Sequence, residues 1–294
     1  MRLLTVRHVS TYRYSEPVRL GDHWMMFRPR DSHDLRLIKT GLEIYPRPEK
    51  LRWLHDVFDN SLAVASFDAR TTELSFASTI TLEHFEDLLP DYQLEAEAQF
   101  FPFAYSDKDR ANLERALERR YFSDEVARWA VSFLGSAQPM ETMALLRAMT
   151  QAALEQFHYS RRDERGVQTP SETLARRSGS CRDFAVLMID AVRSLGLAAR
   201  FVSGYIFLPD AASSTMVGGG ATHAWVQVYL PGAGWVDFDP TNNIIGNRNL
   251  IRVAVAWDPE DALPLWGTFV GSRASFIGLE VSVSVTEDTT LSDN

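Results

Sequence analysis

Hydrophobic positions in residues 1–90 show no long helical period, and the region reads mostly as strands. The runs "LRLIKTGLEIYP" and "TTELSFASTITLEHF" are rich in β-branched and aromatic residues, and turn formers such as "YPRPEK" and "FDNS" separate them. This pattern predicts an all-β, sandwich-like unit over 1–90. The stretch "LLPDYQLEAEAQFFPFAYSD" has no period. It predicts a connector over 91–106, packed down by its aromatic residues. From residue 107 the spacing changes to threes and fours. "DKDRANLERALERRY", "DEVARWAVSFLG" and "METMALLRAMTQAALEQF" predict three helices punctuated by Gly135 and Pro139. Residues 161–180 read as a polar loop. A helix from Cys181 and several strands carry a core domain over 107–286, with the last strands counted as part of it. The remainder, 287–294, predicts a disordered tail. The fold class is therefore α+β.

Composition narrows the picture only modestly. The 294 residues are 45% hydrophobic and 23% charged, with a net charge of −9 and a pI near 5.3. An acidic chain disfavours broad electrostatic binding to nucleic acid or anionic lipid. Arg7, His8 and Arg13 interrupt the first residues, so no secretory apolar core is expected, and no segment is apolar for long enough to span a bilayer. A cytoplasmic protein without membrane or nucleic-acid partners is the expectation. The sequence does not specify an oligomeric state.

Cys181, in "SGSCRDFA", is the chain's single cysteine. A free cysteine is most often a small buried hydrophobe, but its setting argues for more. Ser180 is a suitable helix N-cap and Asp183 stands three residues later, as in a capping box. Phe184, Leu187, Met188, Ala191 and Leu195 then share one helical face, and Gly196 suits the C-terminus. Cys181 would sit in the first turn. There the helix dipole favours a thiolate, and free amides can hold an oxyanion.

A nucleophilic thiol needs a base, and the base needs an orienting group. His223 opens the strand "HAWVQVYL", which is followed by the turn "PGAG" and the strand "WVDFDPTN". In this hairpin His223, Trp225, Gln227 and Tyr229 share a face, and so do Asp237 and Asp239. With Gly234 opposite Leu230, Asp239 lies diagonal to His223 and Asp237 lies further along the strand. Asp239 is therefore the preferred partner, although an Asp before Pro also suits a turn. A metal site is disfavoured by the lack of a His or Cys ligand cluster, and no cofactor is expected. "GGG" at 218–220 does not open a helix after a strand, and no G-x-S-x-G elbow is present.

The segments "TPSETLARRSGSCRDFAVLMIDAVRSLGLAARFVSGYI" and "THAWVQVYLPGAGWVDFDPTN" resemble the bacterial transglutaminase-like superfamily, whose members include candidate cysteine proteases. The opening "LTVRHVSTYRYSEPV" resembles the β-rich domain that precedes that core. The resemblance implies a papain-like core in which the Cys helix packs on an antiparallel sheet. It implies Cys181 as nucleophile, His223 as base and Asp239 as orienting carboxylate. The expected activity is acyl transfer on a peptide or amide through a thioester, with hydrolysis favoured. Amine cross-linking and a non-catalytic peptide-binding module are the alternatives. Trp225, Trp235 and Tyr205 are candidates to line the acyl pocket. The loop 208–222 is a candidate flap over the site.

Overall fold

The computed structural model describes residues 1–85, 92–135, 139–162, 166–209 and 216–288. Alternation in the N-terminal region produces one long strand, Arg2–Met25. Leu4, Val6, His8, Ser10, Tyr12 and Tyr14 point inward from it, with less buried residues between them. This strand is the spine of a seven-stranded sheet. Its first half pairs with Arg70–His84, and Leu35–Tyr45 lies beyond that strand. Its second half pairs with Ser61–Ser66, and Lys50–His55 follows. The β-rich region is thus one continuous sheet hung on a shared strand.

Two C-terminal strands complete this sheet, which corrects their expected place in the core. Leu265–Val270 and Phe276–Glu287 both pair antiparallel with Arg2–Met25. A 24-residue strand needs partners along both edges. Alternation marks a segment as a strand but does not say which sheet it joins. The chain therefore enters and leaves through the same sheet. Of the expected tail, Glu287 ends the last strand and the Asp288 amide bonds Leu3; residues 289–294 lie outside the described residues.

The core is a five-stranded antiparallel sheet in the order Ile244–Ile245, Gly234–Asp239, His223–Leu230, Ala199–Ile206, Leu250–Ala256. The helices Asp107–Leu117, Asp124–Val131 and Thr142–Gln156 form where the spacing predicted them. Ser106 and Ser123 cap the first two. The region read as a polar loop contains one more helix, Pro170–Arg176, started by a Thr169–Glu172 capping box with Pro at its first turn. Seven residues are too few to show a helical period.

Helix Cys181–Ser194 packs on the sheet face made by Ala224, Val226, Val228, Leu230, Val236 and Phe238. Unlike the predicted single apolar face, this helix is buried nearly all round, so its polar residues need partners. Asp190 pairs with Arg119 at 3.0 Å. Arg193 donates to the carbonyls of Glu118, Ala199 and Trp257. The expected connector is packed rather than free. Phe101 and Tyr105 are buried, and the Tyr105 hydroxyl accepts the Ala198 amide and donates to the Tyr229 carbonyl.

The N-terminal sheet docks against the core sheet around the strands Ala199–Ile206 and Leu250–Ala256. Leu4, Val6, Ile80 and Leu82 pack with Tyr205, Phe207 and Ile251. Asn60 closes the contact by donating to the Val255 carbonyl at 2.8 Å and accepting the Val255 amide at 2.9 Å. Asn60→Ala should strand both buried backbone groups and lower the unfolding free energy by roughly 2–4 kcal/mol. Urea denaturation measures this. A loss under about 1 kcal/mol would show that the tie contributes little.

Candidate active site

The chain reaches Cys181 through a two-residue parallel ladder, His158–Tyr159 on Ser178–Gly179. Gly179 is needed there, because a Cβ would stand 2.9 Å from that of Asp183. Asp183, wholly buried, organises the helix start. Its carboxylate accepts the Ser180 amide and hydroxyl, each at 2.8 Å, the Gln168 amide at 2.7 Å and the Arg162 guanidinium at 2.8 Å. Four donors and an opposite charge offset the cost of burying that carboxylate. They also hold rigid the turn that carries Cys181, which is 5% exposed. The first amides of a helix have no partner within it and point out past its end.

The hairpin pairs Leu230 with Gly234 and Gln227 with Asp237. This register brings Asp239 to His223: Nε2 lies 2.8 Å from the carboxylate Oδ2, with both side chains fully buried. The carboxylate also accepts the Thr241 amide and the Asn242 side-chain amide, each at 2.9 Å. Ring atom Nδ1 meets no partner of ordinary hydrogen-bond geometry among the described residues. With Nε2 engaged, Nδ1 is the nitrogen left to meet the Cys181 thiol.

Burial alone would push the imidazolium down. The charge of Asp239, its hydrogen bond and the nearby Cys181 outweigh burial and raise His223 to about 10. Asp239 moves the opposite way. Burial would raise it, but His223, Asn242 and Thr241 hold it below the usual carboxylate range. The two shifts agree on a buried imidazolium–carboxylate pair. His8 is the contrast. It is equally buried, with Tyr205 and Ser10 as neutral partners, and desolvation lowers it to about 4. Tyr159 stands near the thiol. Burial and then the charge of Cys181 push its phenol up to about 12, so its hydroxyl remains a donor at neutral pH.

The three candidate pocket aromatics are not brought together. Trp225 is wholly buried, its ring 5.9 Å from that of His223, and it donates its indole N–H to Asp237 at 2.6 Å. Tyr205 belongs to the contact between the two sheets, its hydroxyl 3.0 Å from His8. Its aromatic character marks packing rather than a pocket wall. Trp235 lies under Arg200 in a separate cleft.

Two further residues emerge from the geometry. Asn242 accepts the Val217 amide at 2.8 Å and donates to the Val217 carbonyl, which ties the segment before Gly218 to Asp239. The signal was the "DPTN" turn itself, whose Asn has both donor and acceptor capacity. Gly218, at φ +99°, lies against the imidazole, where a Cβ would be 2.7 Å from Nδ1. Of the expected flap 208–222, residues 210–215 lie outside the described residues.

Residues 128–240 match the model of the transglutaminase-like superfamily, and residues 4–83 match the bacterial transglutaminase-like N-terminal region. An uncharacterised protein of Mycobacterium tuberculosis is 28% identical over 292 residues, covering 95% of this chain and 91% of its own. A protein-glutamine gamma-glutamyltransferase of Pseudomonas aeruginosa is 36% identical over 88 residues, covering 29% of this chain and 13% of that one. Among solved structures, a protein of Cytophaga hutchinsonii described as a candidate cysteine protease superposes with a TM-score of 0.72 at 19% identity. It covers 97% of this chain and 90% of that one, a likeness of fold. Segment 128–240 is thus a transglutaminase-like core segment, and 4–83 is the N-terminal region that bacterial members of that superfamily carry.

Proposed function

We propose that this protein is a thiol enzyme that hydrolyses a peptide or amide bond through a thioester on Cys181. The 2.8 Å bond between His223 and Asp239, next to a cysteine at a helix start, carries this reading. The Cys181 thiolate attacks the carbonyl carbon, and the charge developing on oxygen meets the first-turn amides. The His223 imidazolium gives the Nδ1 proton to the departing amine as the carbon–nitrogen bond breaks. The neutral ring then takes a proton from water, which attacks the thioester. The acid leaves and the thiolate–imidazolium state returns. Asp239 is a positioning residue: it holds the ring and stabilises its charge without touching the substrate.

Water as acceptor suits a thiol that is only 5% exposed. An amine acceptor is the second reading, favoured by the name of the Pseudomonas relative. A peptide library offered with and without a primary amine, to wild type and to Cys181→Ser, separates the two. Amine-independent cleavage lost in Cys181→Ser supports hydrolysis. Amine-dependent incorporation lost in the same variant moves the assignment to transfer. If neither occurs, and iodoacetamide labels Cys181 at the same rate in wild type and His223→Ala, the thiol-enzyme reading fails.

The pH profile gives a second test. His223 is raised in the folded protein, so its imidazolium is present through neutral pH and lost as pH climbs through about 10. Activity should fall on that alkaline limb. By linkage, the stabilisation from the raised histidine is complete below its ordinary 6.5 and disappears across the same window. Asp239→Asn removes the chief raising influence. It should move the limb down by about one unit or more and reduce kcat roughly 10²–10⁴-fold. An unchanged limb would dissociate Asp239 from the reaction.

A further inference from the structure

One hydrogen bond at Nε2 does not fix an imidazole. The ring can still tilt about the line from its Cγ to that bond, and a tilt swings Nδ1 away from the thiol. Holding the ring plane is therefore a separate requirement of acid–base chemistry at this site. Trp225 is placed to meet it. It stands two residues after His223 on the strand His223–Leu230, and so on the same face. The two rings form an offset stack, with centroids 5.9 Å apart and 27° between the planes. A plane held by stacking is only as steady as the ring it rests on. The indole N–H donates to Asp237 Oδ1 at 2.6 Å, and Trp225 and Asp237 are both buried. Asp237 lies across the ladder from Gln227, whose Oε1 accepts Arg200 Nε at 2.8 Å and whose amide acts on Asp237. Gly204, opposite His223 on the next strand, leaves the indole its room: a Cβ there would stand 2.8 Å from Trp225 Cη2.

We propose that Trp225, latched by Asp237, is a positioning residue for His223, holding the plane of the imidazole so that Nδ1 stays on the Cys181 thiol; this rests on the thiol-enzyme reading above.

The choice of partner supports this role. A tryptophan that only fills space needs an acceptor for its N–H, and a backbone carbonyl would serve. A buried carboxyl is a costly alternative. Burial pushes Asp237 above the usual carboxylate range, while Arg252, Trp225 and Gln227 act against that rise. Charged or neutral, the carboxyl keeps an oxygen that accepts the indole N–H, so the latch does not depend on its protonation. The charged groups that face His223 itself are Asp239 and Cys181. Asp239 sets the charge of the ring, and the indole sets its tilt. Trp225 is wholly buried, so its removal acts on the reacting geometry and not on a substrate contact.

Iodoacetamide labelling of Cys181 at pH 7 tests the latch without a substrate. Asp237→Ala removes the acceptor and should slow labelling about tenfold or more, toward the rate of His223→Ala. Trp225→Phe keeps an aromatic ring but has no N–H to latch, and should slow labelling too. Asp237→Asn retains an oxygen for the indole and should recover most of the rate. On a substrate found in the peptide library, Asp237→Ala should lower kcat about tenfold or more and leave KM within about twofold. Urea midpoints establish that each variant compared is folded, and if Asp237→Ala does not fold, Trp225→Phe against Asp237→Asn makes the same comparison. Labelling at the wild-type rate in a folded Asp237→Ala or Trp225→Phe protein, while His223→Ala is slow, would overturn this inference and leave the thiol-enzyme reading standing. A loss in Asp237→Asn as large as in Asp237→Ala, or a change in KM with kcat kept, would overturn it as well. Equal labelling of wild type and His223→Ala would remove the thiol-enzyme reading, and the positioning role with it.

Discussion

The buried pair of His223 and Asp239 is the constraint around which the core is arranged. Placing two charges where neither side chain sees water is costly, and their attraction repays that only with good geometry and further hydrogen bonds. The surroundings supply both. The hairpin register puts the carboxylate oxygen 2.8 Å from the ring, and Thr241 and Asn242 use its remaining acceptor capacity. His8 shows what the carboxylate contributes. It has similar burial and neutral partners, and its shift is in the opposite direction. The difference between a histidine that stays neutral and one that stays charged lies chiefly in one correctly placed aspartate, with the nearby Cys181 adding to it.

The rest of the core holds the thiol end equally still. Asp183 binds four donors around the first turn of the cysteine helix, and Asp190 and Arg193 anchor its far half. Rigid placement is what the proposed acyl transfer needs, because a small displacement of a nucleophile from its base is expensive in rate. The N-terminal sheet contributes through Asn60, His8 and the apolar contact with Tyr205. Because the last two strands return to that sheet, the ends of the chain enclose the core as one unit.

Much of this was legible in the sequence, for identifiable reasons. β-Branched and aromatic composition marked the long strands, and spacing in threes and fours marked three of the helices. The Ser180–Asp183 spacing marked the helix start, and the register assumed across "PGAG", with Leu230 opposite Gly234, is the one the hairpin adopts. Other features were not legible, because local pattern does not encode them. Alternation in 265–287 could not say which sheet would accept it. Helix Pro170–Arg176 was too short for a period, although Thr169, Pro170 and Glu172 were its start signal. Tyr205 and Trp225 carried the same aromatic signal as a pocket wall, and only the fold shows that both are buried packing residues. Asn242 was visible as a turn residue, but its grip on Val217 and Asp239 is a three-dimensional fact.

The central claim is that Asp239 keeps His223 in its charged form at neutral pH. Nitrogen-15 NMR of selectively labelled histidine reads this directly, since the two ring nitrogens report their protons separately. At pH 7 the account predicts that both nitrogens of His223 carry protons and that one is lost only as pH approaches about 10. A His223 ring already singly protonated at pH 7, with Asp239 intact, would contradict it.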